Sequence, residues 1–311
     1  LPRGENIVVS RRVSAIDIGS NAIRMLVAEV TSSKSKIQVI KRYRAAVRLG
    51  HDVFTQGIIS PPTMEQAVAT FREYALLNNS FGVSQCRAVA TSACREAKNN
   101  KEFIENIFQA SGIKIEIING KSEGELIHQA VRNEIELNNK KTMLIDIGGG
   151  SVEVSFCHGE NLISTQSFPL GTVRLLETLT KRKLTEEHIN ILMGECVTLL
   201  GDYILENTQH KDVDFAIGTG GNIECLGKLK GQILQRKPQT FLTLSEVSII
   251  IERLRALKIK DRIEMLKLRP DRADVIVPAS ILVQILLRQA ECERIMIPNV
   301  GLRDGVIWSM L

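Results

Sequence analysis

The chain has 311 residues, 44% hydrophobic and 24% charged, a globular composition with room for two ordinary domains or one large one. A net charge of +5 suits a polyanionic ligand, while 4% aromatic residues with one Trp leave little for stacking nucleic acid, so no DNA partner is expected. The longest apolar run, residues 275–287, is broken by Pro278, Ser280 and Gln284 and is too short to span a bilayer, so no membrane partner is expected.

Residues 1–12 lack the apolar core of a secretory signal. Three strands are predicted next, over 12–18, 22–31 and 36–46. The Pro61-Pro62 pair starts a helix, with Met64, Ala67, Val68, Phe71 and Ala75 on one face. A strand at 86–91, a helix at 101–111 and a strand at 115–118 follow. A capping-box spacing, Ser122 with Glu125, then predicts a helix starting at Ser122.

The second half repeats this order. Strands are predicted at 142–147, 151–158 and 162–168, helices at 172–179 and 185–207, a strand at 213–217 and a helix from Asn222. The remainder reads as helices at 245–257 and at 272–289, the latter kinked at Pro278, then a strand at 294–297 and a helix at 302–310. Two βββαβαβα halves imply a duplicated α/β fold of two domains, 1–132 and 133–311, with the ligand in the cleft between them. The last helix is expected to pack back on the first domain.

The halves share a phrase. Asp17-Ile-Gly-Ser-Asn21 and Asp146-Ile-Gly-Gly-Gly-Ser151 each end a buried strand in an aspartate and a tight turn. The glycines let phosphate oxygens approach the backbone N–H groups without a Cβ in the way. Gly19, Ser20 and Asn21 on one side and Gly148, Gly149, Gly150 and Ser151 on the other are therefore candidate phosphate-binding residues. Arg24 follows on the outgoing strand of the first hairpin, and Asp17 and Asp146 are placed to hold a metal ion or a water beside the phosphate. A third turn, Ile217-Gly-Thr-Gly-Gly-Asn222, brings Gly220 to the start of a helix, where an anion can sit on the N–H groups. Arg95 can clamp two phosphate oxygens, and Arg48 is a weaker candidate of the same kind. The six cysteines form no CxxC pair, which suits reduced thiols in the cytoplasm, and the five histidines show no HxxxH spacing for a metal.

The repeated hairpin resembles the actin-like ATPase and sugar-kinase superfold. Within it, Ala90-Thr-Ser-Ala-Cys-Arg-Glu-Ala-Lys-Asn99, Ile117-Ile-Asn-Gly-Lys-Ser-Glu-Gly-Glu-Leu126, Ile145-Asp-Ile-Gly-Gly-Gly-Ser-Val-Glu153 and Val300-Gly-Leu-Arg-Asp-Gly-Val306 resemble, in order, the signatures of the exopolyphosphatase and guanosine pentaphosphate phosphohydrolase (Ppx/GppA) family. They span nearly the whole chain, which is similar to the short two-domain members.

The resemblance implies hydrolysis of a terminal phosphoanhydride of inorganic polyphosphate or of guanosine pentaphosphate, with Mg2+ or Mn2+ as cofactor. It implies metal ligands at Asp17, Asp146 and Glu153, phosphate contacts at Ser20, Asn21, Arg24 and Arg95, and Glu123 as the base that takes a proton from water. Where the family has Glu-Glu-Ala-Arg, this chain has Ser122-Glu123-Gly124-Glu125, which leaves the base open between Glu123 and Glu125. A homodimer is expected. The alternatives are a small-molecule kinase of the same superfold and a non-catalytic sensor of polyphosphate or an alarmone.

Overall fold

The computed structural model describes residues 10–31, 37–208, 213–238 and 240–311. Residues 1–9, part of the 1–12 segment read for a signal, Lys36 at the predicted start of the third strand, and His210 lie outside the described residues. The molecule is α/β and built on two mixed sheets.

In the first half, strands β1 (Ser10–Ile18), β2 (Ile23–Thr31) and β3 (Ile37–Ala45) form an antiparallel meander. Helices α1 (Leu49–Gln56) and α2 (Pro61–Ser80), strand β4 (Val83–Ala90), helices α3 (Ser92–Glu96) and α4 (Asn100–Ser111), strand β5 (Ile115–Ile117) and helix α5 (Gly120–Glu134) follow. The second half opens with β6 (Lys141–Ile147), β7 (Val152–His158) and β8 (Asn161–Phe168), then α6 (Thr172–Lys181), α7 (Ile189–Asn207), β9 (Phe215–Thr219) and α8 (Gly220–Leu229). It closes with β10 (Phe241–Thr243), α9 (Leu244–Arg255), α10 (Ile259–Leu266), α11 (Pro270–Ala273), α12 (Ile276–Gln289), β11 (Arg294–Met296) and α13 (Leu302–Trp308).

Strand order is β3-β2-β1-β4-β5 in the first sheet and β10-β11-β9-β6-β7-β8 in the second. Central strands β1 and β6 are buried along most of their length, so both read as near-continuous apolar runs ending in an aspartate. Each half has its own apolar core. A third cluster joins Val13, Ala15 and Leu26 of the first sheet to Leu144 and Ile217 of the second through Ile127 of α5 and Val306 of α13. Helix α13 packs on α5 and β1.

Several element expectations are corrected. Helix α5 starts at Gly120, capped by Asn119, whose side chain accepts from the Ser122 N–H. Ser122 therefore lies inside the first turn, and its capping box with Glu125 does not form. The helix predicted at 272–289 divides into α11 and α12, so Pro278 falls in the first turn of α12 and kinks nothing. A first-turn N–H has no intrahelical acceptor, and proline costs little there. Helices α1, α3 and α10 and strand β10 are additional to the predicted elements. No helix of the described residues is long and apolar enough to cross a membrane.

Candidate active site

Both Asp-Ile-Gly turns close in the same way. The Gly19 N–H donates to Ala22 O at 3.1 Å, and the Gly148 N–H donates to Ser151 O at 3.0 Å. They meet face to face. A Cβ built on Gly149 would lie 3.0 Å from Ser20 Cβ, and one on Gly150 would lie 2.6 Å from Ser20 Oγ and 2.2 Å from Ser92 Oγ. The cleft between the halves is lined by Asp17, Gly19, Ser20, Asn21, Arg24, Thr91, Ser92, Glu123, Asp146, Gly148, Gly149, Ser151, Gly220, Asn222, Glu224, Arg272 and Arg303.

Strand register explains which side chains meet. In the second sheet, Asp146 on β6 is directly opposite Glu153 on β7; Thr219 of β9 flanks Asp146, and Ser167 of β8 flanks Glu153. A row Thr219–Asp146–Glu153–Ser167 thus crosses four strands on one face. In the first sheet the corresponding row is Asp17–Arg24–Arg44. The duplicated hairpins place an arginine in one half where the other has a glutamate.

Glu123, Asp146 and Glu153 each offer a carboxylate oxygen, and these oxygens lie within 4.8 Å of one another. Glu123 and Glu153 are 5% and 2% exposed, and Oε2 of each is buried without a hydrogen-bond partner. Burial raises the pKa of all three. Glu123 is pushed well above its ordinary value by burial and then by the charges of Glu153, Asp146 and Asp17, with Arg95 opposing. Glu153 is pushed up to about 7 by burial and by Asp146, and Asp146 to about 6 by burial, against the hydrogen bond from Thr219. Asp17 is raised by burial, countered by Arg24, 3.9 Å away, and Arg303. Like charges directly opposite on a sheet are unfavourable. A hard divalent cation fits this donor set, because carboxylate oxygens are its preferred ligands and two of them lack any partner.

Of the two candidate bases, Glu123 faces the cluster from α5, while Glu125 is exposed. Glu153 sits behind the cleft wall, and Gly150 packs against Ser92 and Phe54. Arg95 lies outside the lining: it donates to Ile118 O at 2.7 Å and acts on Glu123 and Glu153 through its charge. Arg48 pairs with Asp274 at 2.7 Å. Gly220 has φ +81°, and a Cβ there would lie 2.6 Å from Asp146 Oδ1, so both conformation and space demand glycine.

Sequence reasoning missed Thr91, Ser92, Glu224, Arg272 and Arg303 in the lining, and Ser167 and Thr219 beside the carboxylates. Arg303 lies inside the quoted Gly301–Gly305 motif and was open to notice. Arg272 carries no local signal: α11 delivers it, 4% exposed, to hydrogen-bond Asn222 Oδ1. Beside the cleft, a second pocket sharing Arg24, Arg272 and Arg303 is rimmed by Arg42, Arg44, Lys228, Lys267 and Arg269, with Glu224 as its one acidic lining residue among those described. Burial lowers the Arg272 pKa to about 10, aided by the Arg24 charge.

The exopolyphosphatase 1 of Mycobacterium bovis is 25% identical over 304 residues, covering 96% of this chain and 88% of that protein. The crystal structure of an exopolyphosphatase from Cytophaga hutchinsonii matches with a TM-score of 0.86 at 25% identity, over 96% of this chain and 97% of that one. The crystal structure of an Aquifex aeolicus Ppx/GppA family member matches with a TM-score of 0.78 at 27% identity, over 97% and 98%. The Ppx/GppA phosphatase family model covers residues 26–311, from the second strand of the first hairpin to the last residue. With both glycine turns, Glu123 and Asp146 lining one cleft and Glu153 beside them, this chain is a hydrolase acting on phosphoanhydrides and belongs to the Ppx/GppA phosphatase family.

Proposed function

We propose that the chain releases orthophosphate from the end of inorganic polyphosphate, with Mg2+ or Mn2+ as cofactor. The observation that carries this reading is the group of three buried carboxylates, two with unpartnered oxygens, at the meeting point of two glycine turns. The basic pocket beside the cleft supports an extended anionic ligand over a single phosphate. Guanosine pentaphosphate, which also presents a terminal anhydride, is the second substrate we propose for the same cleft.

Asp146 and Glu153, with Asp17 near them, would hold the cation, whose role is to offset charge on the phosphate oxygens. The turn N–H groups that follow Gly19 and Gly148, whose own N–H groups close the turns, would orient the terminal phosphates, and Arg24, Arg272 and Arg303 would oppose charge on the departing chain. Glu123 would orient a water and take its proton as the new P–O bond forms. The bridging P–O bond breaks, and its electron pair leaves with the shortened chain. We place the division between halves at residues 132–133, in the last turn of α5, and the protein in the cytoplasm, a setting that suits its six free cysteines. We also propose a homodimer, which light scattering checks.

The test is a phosphate-release panel with Mg2+, using short and long polyphosphate, guanosine pentaphosphate and ATP. Turnover of polyphosphate is expected. Tight binding of every polyanion without release would favour a sensor, and ADP formation only when a sugar is added would favour a kinase.

A further inference from the structure

The geometry points to Thr219 and Ser167 as positioning residues for a divalent cation at Asp146 and Glu153, an inference that rests on the cation reading above. Thr219 Oγ1 donates to Asp146 Oδ1 at 2.6 Å, and Ser167 Oγ donates to Glu153 Oε1 at 2.7 Å. Each hydroxyl occupies one oxygen of its carboxylate and leaves the other for a metal. Glu153 Oε2 is buried with no partner, and no hydrogen bond to Asp146 Oδ2 is found among the described residues.

Strand register makes the arrangement rigid. The hydroxyls sit at the two ends of the four-strand row and brace the acidic pair from outside. Thr219 is 1% exposed, and its backbone leads directly into the left-handed Gly220, whose missing side chain leaves room for Asp146. Ser167 does a second thing. A Cβ on Gly120 would lie 2.2 Å from Ser167 Cβ, so the strand carrying Ser167 is also the surface on which the first turn of α5 rests. That turn carries Glu123. One strand therefore sets the third carboxylate as well as the second. A donor to a ligating carboxylate fixes which oxygen faces the metal, and losing such a partner typically costs about 10- to 100-fold in metal affinity.

The test measures Mn2+ binding to the substrate-free protein by electron paramagnetic resonance, together with metal-free thermal unfolding. Thr219→Val, close in shape to threonine, is expected to weaken Mn2+ binding about 10- to 100-fold while leaving metal-free unfolding near that of the parent. Thr219→Ser, which keeps the donor, is expected to restore binding, and Ser167→Ala to weaken it as Thr219→Val does. Parent-level Mn2+ affinity in Thr219→Val and Ser167→Ala would overturn the positioning role and leave the cation reading standing. Equal losses in Thr219→Val and Thr219→Ser would also overturn it, because the hydroxyl would then be irrelevant. No Mn2+ binding by the parent chain would overturn the cation reading and this inference with it.

Discussion

Glu123 combines deep burial, an unpartnered oxygen and two carboxylate neighbours, an arrangement a stable fold would avoid without a functional return. Replacing it with Gln keeps the shape and removes the base. Steady-state phosphate release should fall at least about 100-fold, while polyphosphate binding by calorimetry stays within a few-fold. The raised pKa values of Asp146 and Glu153 also fix a sign. Their folded values of about 6 and 7 exceed the ordinary 3.8 and 4.5, so from about pH 4 to 7 these two groups hold more protons in the folded chain than in the unfolded one. This contribution to stability is full below about pH 4 and is lost as pH rises past 7. Metal-free protein should therefore melt lower at pH 8 than its other groups alone would set, and Glu153→Gln should raise that melting temperature by about 5 °C while abolishing the further rise on adding Mn2+. Calorimetry with and without chelator checks both.

Among the elements, α5 carries the departure from the family pattern, and its packing accounts for one part of it, Gly124. A Cβ at Gly124 would lie 2.2 Å from Thr165 Oγ1 and 3.3 Å from Ser155 Oγ, so glycine answers the hydroxyl-bearing face of β7 and β8. Gly124→Ala should lift the first turn of α5, destabilise the chain by about 1–3 kcal/mol and lower kcat through Glu123. Thr165→Ala in the same chain should recover most of both losses, and a double-mutant cycle measures the coupling. The paired strand–turn–strand hairpins were legible because buried central strands and glycine turns leave local patterns. The Asn119 cap was hidden behind a plausible Ser122–Glu125 spacing. Strand β10 has three residues, too few for alternation to register, and it exists because β11 pairs with it. Asp146 and Glu153 could be named as acids from their motif. That Thr219 and Ser167 stand beside them depends on pairing between strands distant in sequence, which no local pattern encodes.

At the scale of the whole molecule, polar and charged contacts around the cleft add to the third apolar cluster in joining the two halves. Arg174 of α6 donates to Gly150 O at 2.8 Å, pairs with Glu96 of α3 at 2.5 Å and lies 4.0 Å over the Phe54 ring. Asn21 reaches the Asp271 carbonyl at 2.9 Å, and Arg44 pairs with the Asp271 carboxylate. Arg174→Ala should loosen the fit of the second glycine turn on the first and reduce kcat/KM for polyphosphate about tenfold, read by steady-state kinetics, because small misplacements at a reacting centre are costly.

The matched rows of the two sheets, one setting Arg24 opposite its aspartate and the other Glu153, bear on a ligand whose ends are chemically alike. Linear polyphosphate has no head or tail of its own. On the reading proposed above, the carboxylate side would take the bond to be cut and the arginine-lined side the rest of the polymer, so polarity would be imposed by the enzyme. Either end of such a chain would then be trimmed alike.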